Sequence, residues 1–334
     1  MSVAVLACSL VALAGPPDTS AAAAAAASYR LSRPDDDRGT FSLLIENDVL
    51  FALDRHYSSG VNGLWTTSRA GTPNFMHAIG RWFATDGEVH ATFGGGHNIY
   101  TPRSIILQNL GDRDRPFAAF LYATAGIQTV TPEHFDDLTL TLGIIGPAAL
   151  GRQVQRVIHV AIGPTPRRWD TQLPNEGAAI LSYQHVWRYH LGTFGGLFTE
   201  VFPHIGVALG NVYDYTAAGF TIRFGDNMPL DYGPRRVLPG IQGNGVFTQT
   251  NDFGWYYFLG GEARSVIRNI FIDGSTFRES RGVERNPIVV DAQFGWALVW
   301  KNTRVAMTHV LRTKEFERQI KPDFFGSLDL SFRL

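Results

Sequence analysis

The sequence has almost no cysteine, and that scarcity sets the first limit on its chemistry. Its 334 residues contain one cysteine, Cys8, which lies inside an apolar N-terminal run. The rest of the chain therefore has neither a disulfide framework nor a catalytic thiol. Charged residues make up only 18% and the net charge is −1. This near-neutral balance gives no reason to expect a nucleic-acid partner.

Long apolar runs and familiar catalytic motifs are also missing. No stretch of 18 apolar residues follows the N-terminal run, and the mean hydropathy of −0.04 excludes a helical membrane protein. The absence of a G-x-S-x-G motif argues against an α/β-hydrolase. Gly94-Gly95-Gly96 is not followed by the Lys-Ser/Thr of a phosphate loop. The histidines show no metal-ligand spacing.

The N-terminal segment is typical of a secretory signal. A short apolar run, Val3 to Gly15, precedes Pro16-Pro17 and the seven alanines Ala21 to Ala27. Small residues suit an Ala-x-Ala cleavage region, and the run is too short for a transmembrane helix. We therefore predict a signal peptide over 1–27 and one exported domain over 28–334.

Alternation of polar and apolar residues predicts β-strands along the remaining chain. At the C-terminus, Leu328, Leu330, Phe332 and Leu334 alternate with polar residues. Stretches of the length that a tilted membrane strand needs lie at 41–50, 58–68, 90–100, 117–131, 136–146, 177–190, 196–209, 213–225, 254–265, 287–300, 302–312 and 324–334. Twelve is an even number, as a closed bacterial barrel requires. The sequence predicts an all-β fold, a 12-stranded antiparallel transmembrane β-barrel, with polar surface loops around 226–252 and 274–286.

One segment, 151–163, breaks the β pattern and predicts a short helix. Val154, Val157, Ile158 and Ala161 follow helical spacing, and Gly163-Pro164 is a stop signal. Gln155 and His159 are four residues apart and share a helix face next to the apolar one. His159 is a candidate general base, because the pKa of histidine suits proton transfer near neutrality. The alternative is a packing histidine on a helix surface.

Glu46-Asn47-Asp48 ends the apolar run Phe41 to Ile45, where the chain turns toward the second strand. An asparagine offers two N–H donors and an acceptor, and an aspartate beside it can hold a hard cation. An oxyanion stabiliser, a metal ligand and a simple turn cap all fit this pair. Glu46 alternates with Asn47, so we expect it on the opposite face of the strand.

Several short blocks, in one order between residues 40 and 180, together resemble the outer-membrane lipid A deacylases of the LpxR type. The blocks are Glu46-Asn47-Asp48, Asp54-Arg55-His56-Tyr57-Ser58-Ser59-Gly60, Asn98-Ile99-Tyr100-Thr101-Pro102, Asp114-Arg115-Pro116-Phe117-Ala118-Ala119, Gly146-Pro147 with Gln155 and His159, and Trp169-Asp170-Thr171-Gln172-Leu173 with Asn175-Glu176. No single block is specific, but their shared order is.

The resemblance implies a 12-stranded barrel with a site near its extracellular mouth. It implies that His159 is the catalytic base, Asn47 helps to stabilise the oxyanion and Asp48 binds Ca²⁺. Ser58 supplies a hydroxyl where the family has a threonine, and Gln155 precedes the histidine by one turn. The implied activity is hydrolysis of the ester that holds the 3′-acyloxyacyl group of lipid A, by a histidine-activated water. The implied partner is lipid A or lipopolysaccharide in the outer leaflet, and we expect a monomer.

Three other readings stay open on the sequence: another barrel esterase such as a phospholipase, a non-enzymatic barrel or pore, and a soluble periplasmic β protein. Two further features also have more than one interpretation. We interpret Asp114-Arg115 as an ion pair inside the lumen rather than as part of the site. Trp169 suits either an interfacial aromatic girdle or an acyl groove.

Overall fold

The computed structural model describes residues 38–47, 56–103, 114–162, 169–233, 235, 245–247 and 250–334. Within these ranges, the side chains of 56–58, 158–162 and 250–252 lie outside the description. The predicted signal peptide, 1–27, and the predicted metal ligand Asp48 lie outside the described residues. Among the helices of the described ranges, none has the length and apolar character to span a membrane.

The described chain folds into one antiparallel sheet that closes on itself. Its strands are β1 (Thr40–Asn47), β2 (His56–Thr66), β3 (Glu88–Thr101), β4 (Ala118–Val130), β5 (His134–Ile145), β6 (Glu176–Trp187), β7 (Tyr189–Phe194), β8 (Leu197–Gly210), β9 (Tyr213–Asp226), β10 (Thr250–Asn269), β11 (Ile288–Lys301), β12 (Thr303–Arg312) and β13 (Asp323–Arg333). Its helices are α1 (Asn74–Gly80), α2 (Gly151–Ile162) and α3 (Ile270–Asp273), with single 3₁₀ turns at Pro147–Ala149 and Trp169–Thr171. Pairing of β1 with β13 and of β6 with β8 completes the barrel.

The predicted 12-stranded barrel and the helix after residue 150 are both confirmed, with β7 as one extra strand. The interval predicted as a single strand, 177–190, is divided at Arg188. Strand β6 pairs with the C-terminal half of β8, and β7 pairs with its N-terminal half. The Arg188 backbone N–H donates to the carbonyl of Glu133, 2.8 Å away, instead of to a strand. Strands β6 and β7 therefore share one place in a 12-stranded wall.

The side chains of the barrel are polar toward its interior and apolar on its outer face. On β13, Ser327, Asp329 and Ser331 are at most 2% exposed, whereas Phe332 is 38% and Leu334 is 67% exposed. Apolar side chains are exposed on other strands too, including Ile45, Val61, Phe93, Leu121, Leu140, Leu142, Leu181, Ile205, Leu209, Leu259 and Phe294. An apolar outer face around a polar interior is the pattern of a membrane barrel. A soluble sandwich would bury this apolar face.

Paired charges fill the lumen. The Arg304 guanidinium contacts Asp231 at 2.7 Å and Asp329 at 3.2 Å. Arg223 contacts the same Asp231 as well as Glu200. These side chains are almost fully buried, and buried charges persist in proteins when they are paired and hydrogen-bonded. The interior of the barrel is therefore a connected ionic network.

The connection between β9 and β10 enters this lumen, so the prediction of a polar surface loop around 226–252 was wrong for most of its described residues, although Asp226 and Asn227 are exposed. Asp231, Tyr232, Arg235 and Phe247 are at most 9% exposed. The Tyr232 hydroxyl donates to the carbonyl of Thr131 at 2.7 Å. The connection enters the lumen because its Asp231 pairs with Arg223 and Arg304, which lie on strands of the wall. The second predicted surface loop, 274–286, is confirmed, since most of its side chains are exposed or half-buried.

Candidate functional site

One row of paired residues crosses the outer wall from β1 to β4. Asn47 pairs with Ser59, Ser59 with Ile99, and Ile99 with Ala119. Residues that pair directly in an antiparallel sheet share one of its faces. Asn47 continues the outward alternation of Ile45, which is 37% exposed, so the row lies outside the lumen. We call Asn47, Ser59, Ile99 and Ala119 the outer row.

The outer row lies where the exposed apolar band ends, on the side of the barrel away from Gly39 and Leu334. The next outward-facing position of each strand toward those termini is exposed. These positions hold Ile45, Val61 and Leu121, which are 37%, 46% and 42% exposed. In the outer row itself, Ile99 and Ala119 are completely buried. The change from exposed to covered wall therefore takes place between two successive outward positions.

Helix α2 starts directly on this covered wall. A Cβ atom added at Gly151, its first residue, would lie 2.4 Å from both the Ala119 Cβ and the Trp169 ring. His97 Nε2 lies 2.7 Å from the carbonyl oxygen of Ala149, which ties the turn before the helix to β3. The backbone N–H of Gly146 donates to the carbonyl of Ala119 at 3.1 Å. Only glycine permits so close an approach of helix and wall.

Gln155 lies on the packed side of α2. Its side chain is 2% exposed, and its Oε1 accepts a hydrogen bond from Trp169 Nε1 at 2.7 Å. Trp169 is also 2% exposed and packs with its ring 5.3 Å from the ring of Phe117. The interpretation of Trp169 as part of an interfacial girdle is therefore wrong, because the indole is buried beneath the helix.

The packed face of α2 differs in one respect from the prediction. Val157, which helical spacing places on the apolar face, is 74% exposed, whereas Val154 of the same face packs against the buried cluster around Trp169. Gly151 and Gln155 contact the wall together with Val154, because close approach needs a small residue and Trp169 needs a hydrogen-bond acceptor.

The structure describes the predicted site residues to different extents. Asn47 is half-buried in the outer row, and Gln155 is buried under α2. The backbone of His159 lies in α2 one turn after Gln155, with its side chain outside the description. Asp48 follows Asn47 outside the described residues. The roles predicted for these residues stay predictions.

Ser58 occupies an irregular position next to the outer row. Tyr57 pairs with Tyr100 and Ser59 pairs with Ile99, so the register of β2 and β3 shifts at Ser58. The side chain of Ser58 lies outside the description. Bulges of this kind recur beside active sites, where they change the direction of a side chain.

The lumen side of the same strands holds two residues that the sequence analysis placed outside the site. Glu46 is 5% exposed and faces the lumen, as the alternation predicted. Arg115 makes a lumen ion pair with Glu315 at 3.2 Å. Asp114 accepts the backbone N–H of Arg103 at 3.0 Å and that of Arg115 at 2.8 Å. Arg115 thus makes a buried ion pair, as predicted, but with Glu315, and the hydrogen bonds described for Asp114 come from backbone N–H groups.

The donor atoms near Asn47 fit a hard cation better than a soft one. Within the described ranges, no group of three or more His, Cys, Asp or Glu side chains could hold a metal ion. Asn47 and Ser59 offer amide and hydroxyl oxygens, and Asp48, outside the described residues, follows Asn47 in the sequence. An oxygen-only set suits Ca²⁺, whereas zinc takes histidine and cysteine.

A closed antiparallel barrel with an apolar outer band and a charged lumen defines an outer-membrane β-barrel. The chain belongs to the LpxR family, since the family model described as "Outer membrane protein LpxR" matches residues 5–334. The protein is therefore located in the outer membrane, and the soluble periplasmic reading is wrong.

The structure of LpxR from Salmonella typhimurium has the same fold. It matches with a TM-score of 0.73 at 19% identity, over 88% of this chain and 100% of that one. The β domain of the Bordetella autotransporter BrkA matches with a TM-score of 0.45 at 12% identity, over 89% of this chain and 99% of that one. No curated protein sequence matches this chain.

Proposed function

We propose that this protein is a Ca²⁺-dependent lipid A 3′-O-deacylase, which hydrolyses the ester that holds the 3′-acyloxyacyl group. One observation carries the proposal: polar groups and the helix of His159 lie on the outer wall where the apolar band ends. An acyl ester of a membrane lipid lies at this boundary, with its chains along the band and its head group beyond it. Membership of the LpxR family supports the same substrate class.

The proposed chemistry needs a base and a stabilised oxyanion. His159 takes a proton from a water molecule, and the water oxygen attacks the ester carbonyl. The amide N–H groups of Asn47 and Gln155 donate to the oxyanion that forms. When the tetrahedral intermediate collapses, the bond to the sugar oxygen breaks and the His159 imidazolium returns the proton to that oxygen. The products are a free acyloxyacyl acid and a lipid A hydroxyl.

The proposal assigns the remaining predicted residues to support. Asp48 and the side-chain oxygen of Asn47 would hold Ca²⁺, and the Ser58 hydroxyl would orient the attacking water. When bound, Ca²⁺ supplies Lewis-acid polarisation of the ester carbonyl. Another lipid substrate and a non-enzymatic barrel are the competing functions. The ion-paired lumen argues against an open pore.

The test is a mass spectrum of lipid A after incubation with detergent-purified protein, with Ca²⁺ or with a chelator. The wild-type protein should remove one acyloxyacyl mass only with Ca²⁺, and His159→Ala should remove none. His77→Ala is the matched control, because His77 also lies on a short helix, α1, but at the opposite end of the barrel. Heat-modifiable gel migration confirms that each variant is folded.

Two results would count against the proposal. Intact lipid A in every sample of folded protein would exclude this substrate. Cleavage of phospholipids in place of lipid A would identify a barrel esterase with another lipid substrate.

A further inference from the structure

We infer that Trp169 is a positioning residue, whose indole N–H holds the Gln155 amide with its NH₂ group directed at the reacting ester. This inference deepens the proposed function and rests on it. The two side chains are 14 positions apart in the chain, yet they meet at 2.7 Å beneath α2. Each is 2% exposed, so water does not compete for this hydrogen bond.

The chemistry of the indole fixes which way the amide faces. An indole N–H is only a donor, so the oxygen of the Gln155 amide must face it. The amide group is planar, and its nitrogen therefore points away from Trp169. If the amide turned over, two donors would face each other and the hydrogen bond would be lost. Trp169 thereby selects one of the two amide orientations.

The nitrogen of that amide is buried without an acceptor. Gln155 Nε2 has no hydrogen-bond partner within the described structure, although its residue is almost fully buried. A buried N–H group without an acceptor is uncommon and costs free energy. A donor held in this state is ready for a ligand oxygen, and it needs no reorganisation when negative charge develops there.

The position of Gln155 on α2 gives this donor a direction. Gln155 lies one turn before the predicted base His159 on α2. Residues four apart on a helix project from the same face, so the two positions share a face. The glycine at position 151 places the start of the helix against Ala119 in the outer row. The helix that carries Gln155 and His159 therefore lies at the same end of the barrel wall as the outer row. A substrate carbonyl oxygen is the ligand that such a donor fits.

A purely structural role for the pair predicts different kinetics. If Trp169 only tethers α2 to the wall, its loss should weaken lipid binding and raise KM. If it orients an oxyanion donor, its loss should lower kcat and leave KM unchanged. Trp169→Phe separates the two roles, because phenylalanine keeps an aromatic ring beside Phe117 and removes the N–H donor together with part of the ring volume. Gln155→Ala removes the acceptor and leaves the indole whole.

The experiment compares four proteins with the wild type in the lipid A assay: Trp169→Phe, Gln155→Ala, the double variant, and Trp82→Phe. Trp82 is 83% exposed and serves as the matched control, with unchanged activity expected. Gln155→Ala should lower kcat about 100-fold, the usual loss for one oxyanion donor. Trp169→Phe should lower kcat about tenfold, and the double variant should be no slower than Gln155→Ala, because both act through one amide.

A second measurement follows the hydrogen bond itself. In a ¹⁵N-tryptophan spectrum, the indole signal that Trp169→Phe removes should shift upfield in Gln155→Ala and stay in place in Trp82→Phe. Wild-type kcat in Trp169→Phe, a raised KM alone, or additive losses in the double variant would overturn the inference while the proposed function stands. A wild-type protein that cleaves no lipid A would overturn both.

Discussion

The lumen and the outer wall of this barrel differ in the polar groups that they bury. Inside, Arg223, Arg304 and Asp231 are buried and contact one another or other charges. Outside, polar groups are few, and the buried amide nitrogen of Gln155 has no partner among the described residues. Paired charges are expected of a structural network. Arg304 Nε in the lumen also has no partner among the described residues, so Gln155 is set apart by its place one turn before the predicted base His159. The comparison separates stability, in the lumen, from chemistry, on the wall.

The largest predicted effect tests this separation on two adjacent residues. Asn47 belongs to the outer row, and Glu46 faces the lumen. We expect Asn47→Ala to lower kcat for lipid A by about 100-fold, because an oxyanion donor is lost, with unchanged urea unfolding. Glu46→Gln is the control and should keep its activity. A large loss of activity in Glu46→Gln with intact folding would erase the distinction between the two faces.

The lumen should show the reverse behaviour when its network is broken. Asp231→Ala leaves Arg223 and Arg304 each with one fewer carboxylate partner. We expect the free energy of unfolding to fall by about 3 kcal/mol, the cost of removing one side of a buried ion pair. Activity per folded molecule should not change. Urea unfolding followed by heat-modifiable migration measures the first quantity and the lipid A assay the second.

The same contrast explains what was predictable from the sequence. Strand alternation is a local signal with a period of two, so the wall and the lumen side of Glu46 followed from it. The division of β6 and β7 did not, because Arg188 turns inward to contact the backbone of Asp231, 43 residues away. The entry of the β9–β10 connection into the lumen was missed for the same reason. Ionic pairing across a barrel leaves no periodic pattern in the chain.

The site was predicted in a similar, partial way. Helical spacing placed Gln155 and His159 on one face of a short helix, and the helix exists at Gly151–Ile162. Spacing identified the packed face only in part, since Val154 packs against the wall, Val157 is exposed, and the close contact of Gly151 was not predicted. Nor did any local signal connect Trp169 to Gln155. The two partners are 14 positions apart in the chain and follow no repeat, so no sequence pattern pairs them.

A smaller effect is expected from moving α2 away from the wall. The Cβ of Gly151→Ala would lie 2.4 Å from the Ala119 Cβ, so the helix must shift. Overpacking of this kind costs about 1–3 kcal/mol, and we expect kcat to fall about tenfold as His159 moves with the helix. Gly177→Ala is the control, because nothing lies within 4 Å of its added Cβ. Equal activity of both variants would show that the helix position is not critical.

The smallest effect concerns the exposed side of α2, which lies next to the end of the apolar band. Arg152 and Arg156 are one turn apart and exposed there. A cationic side chain near an anionic lipid surface contributes about 1 kcal/mol, so Arg152→Gln and Arg156→Gln should each raise KM about fivefold and leave kcat unchanged. The increase should shrink at high salt, since screening weakens exposed charges in both proteins. Arg278→Gln, an exposed arginine in the 274–286 loop, is the control. An equal rise in KM for Arg278→Gln would mean that general surface charge, rather than α2, attracts the lipid.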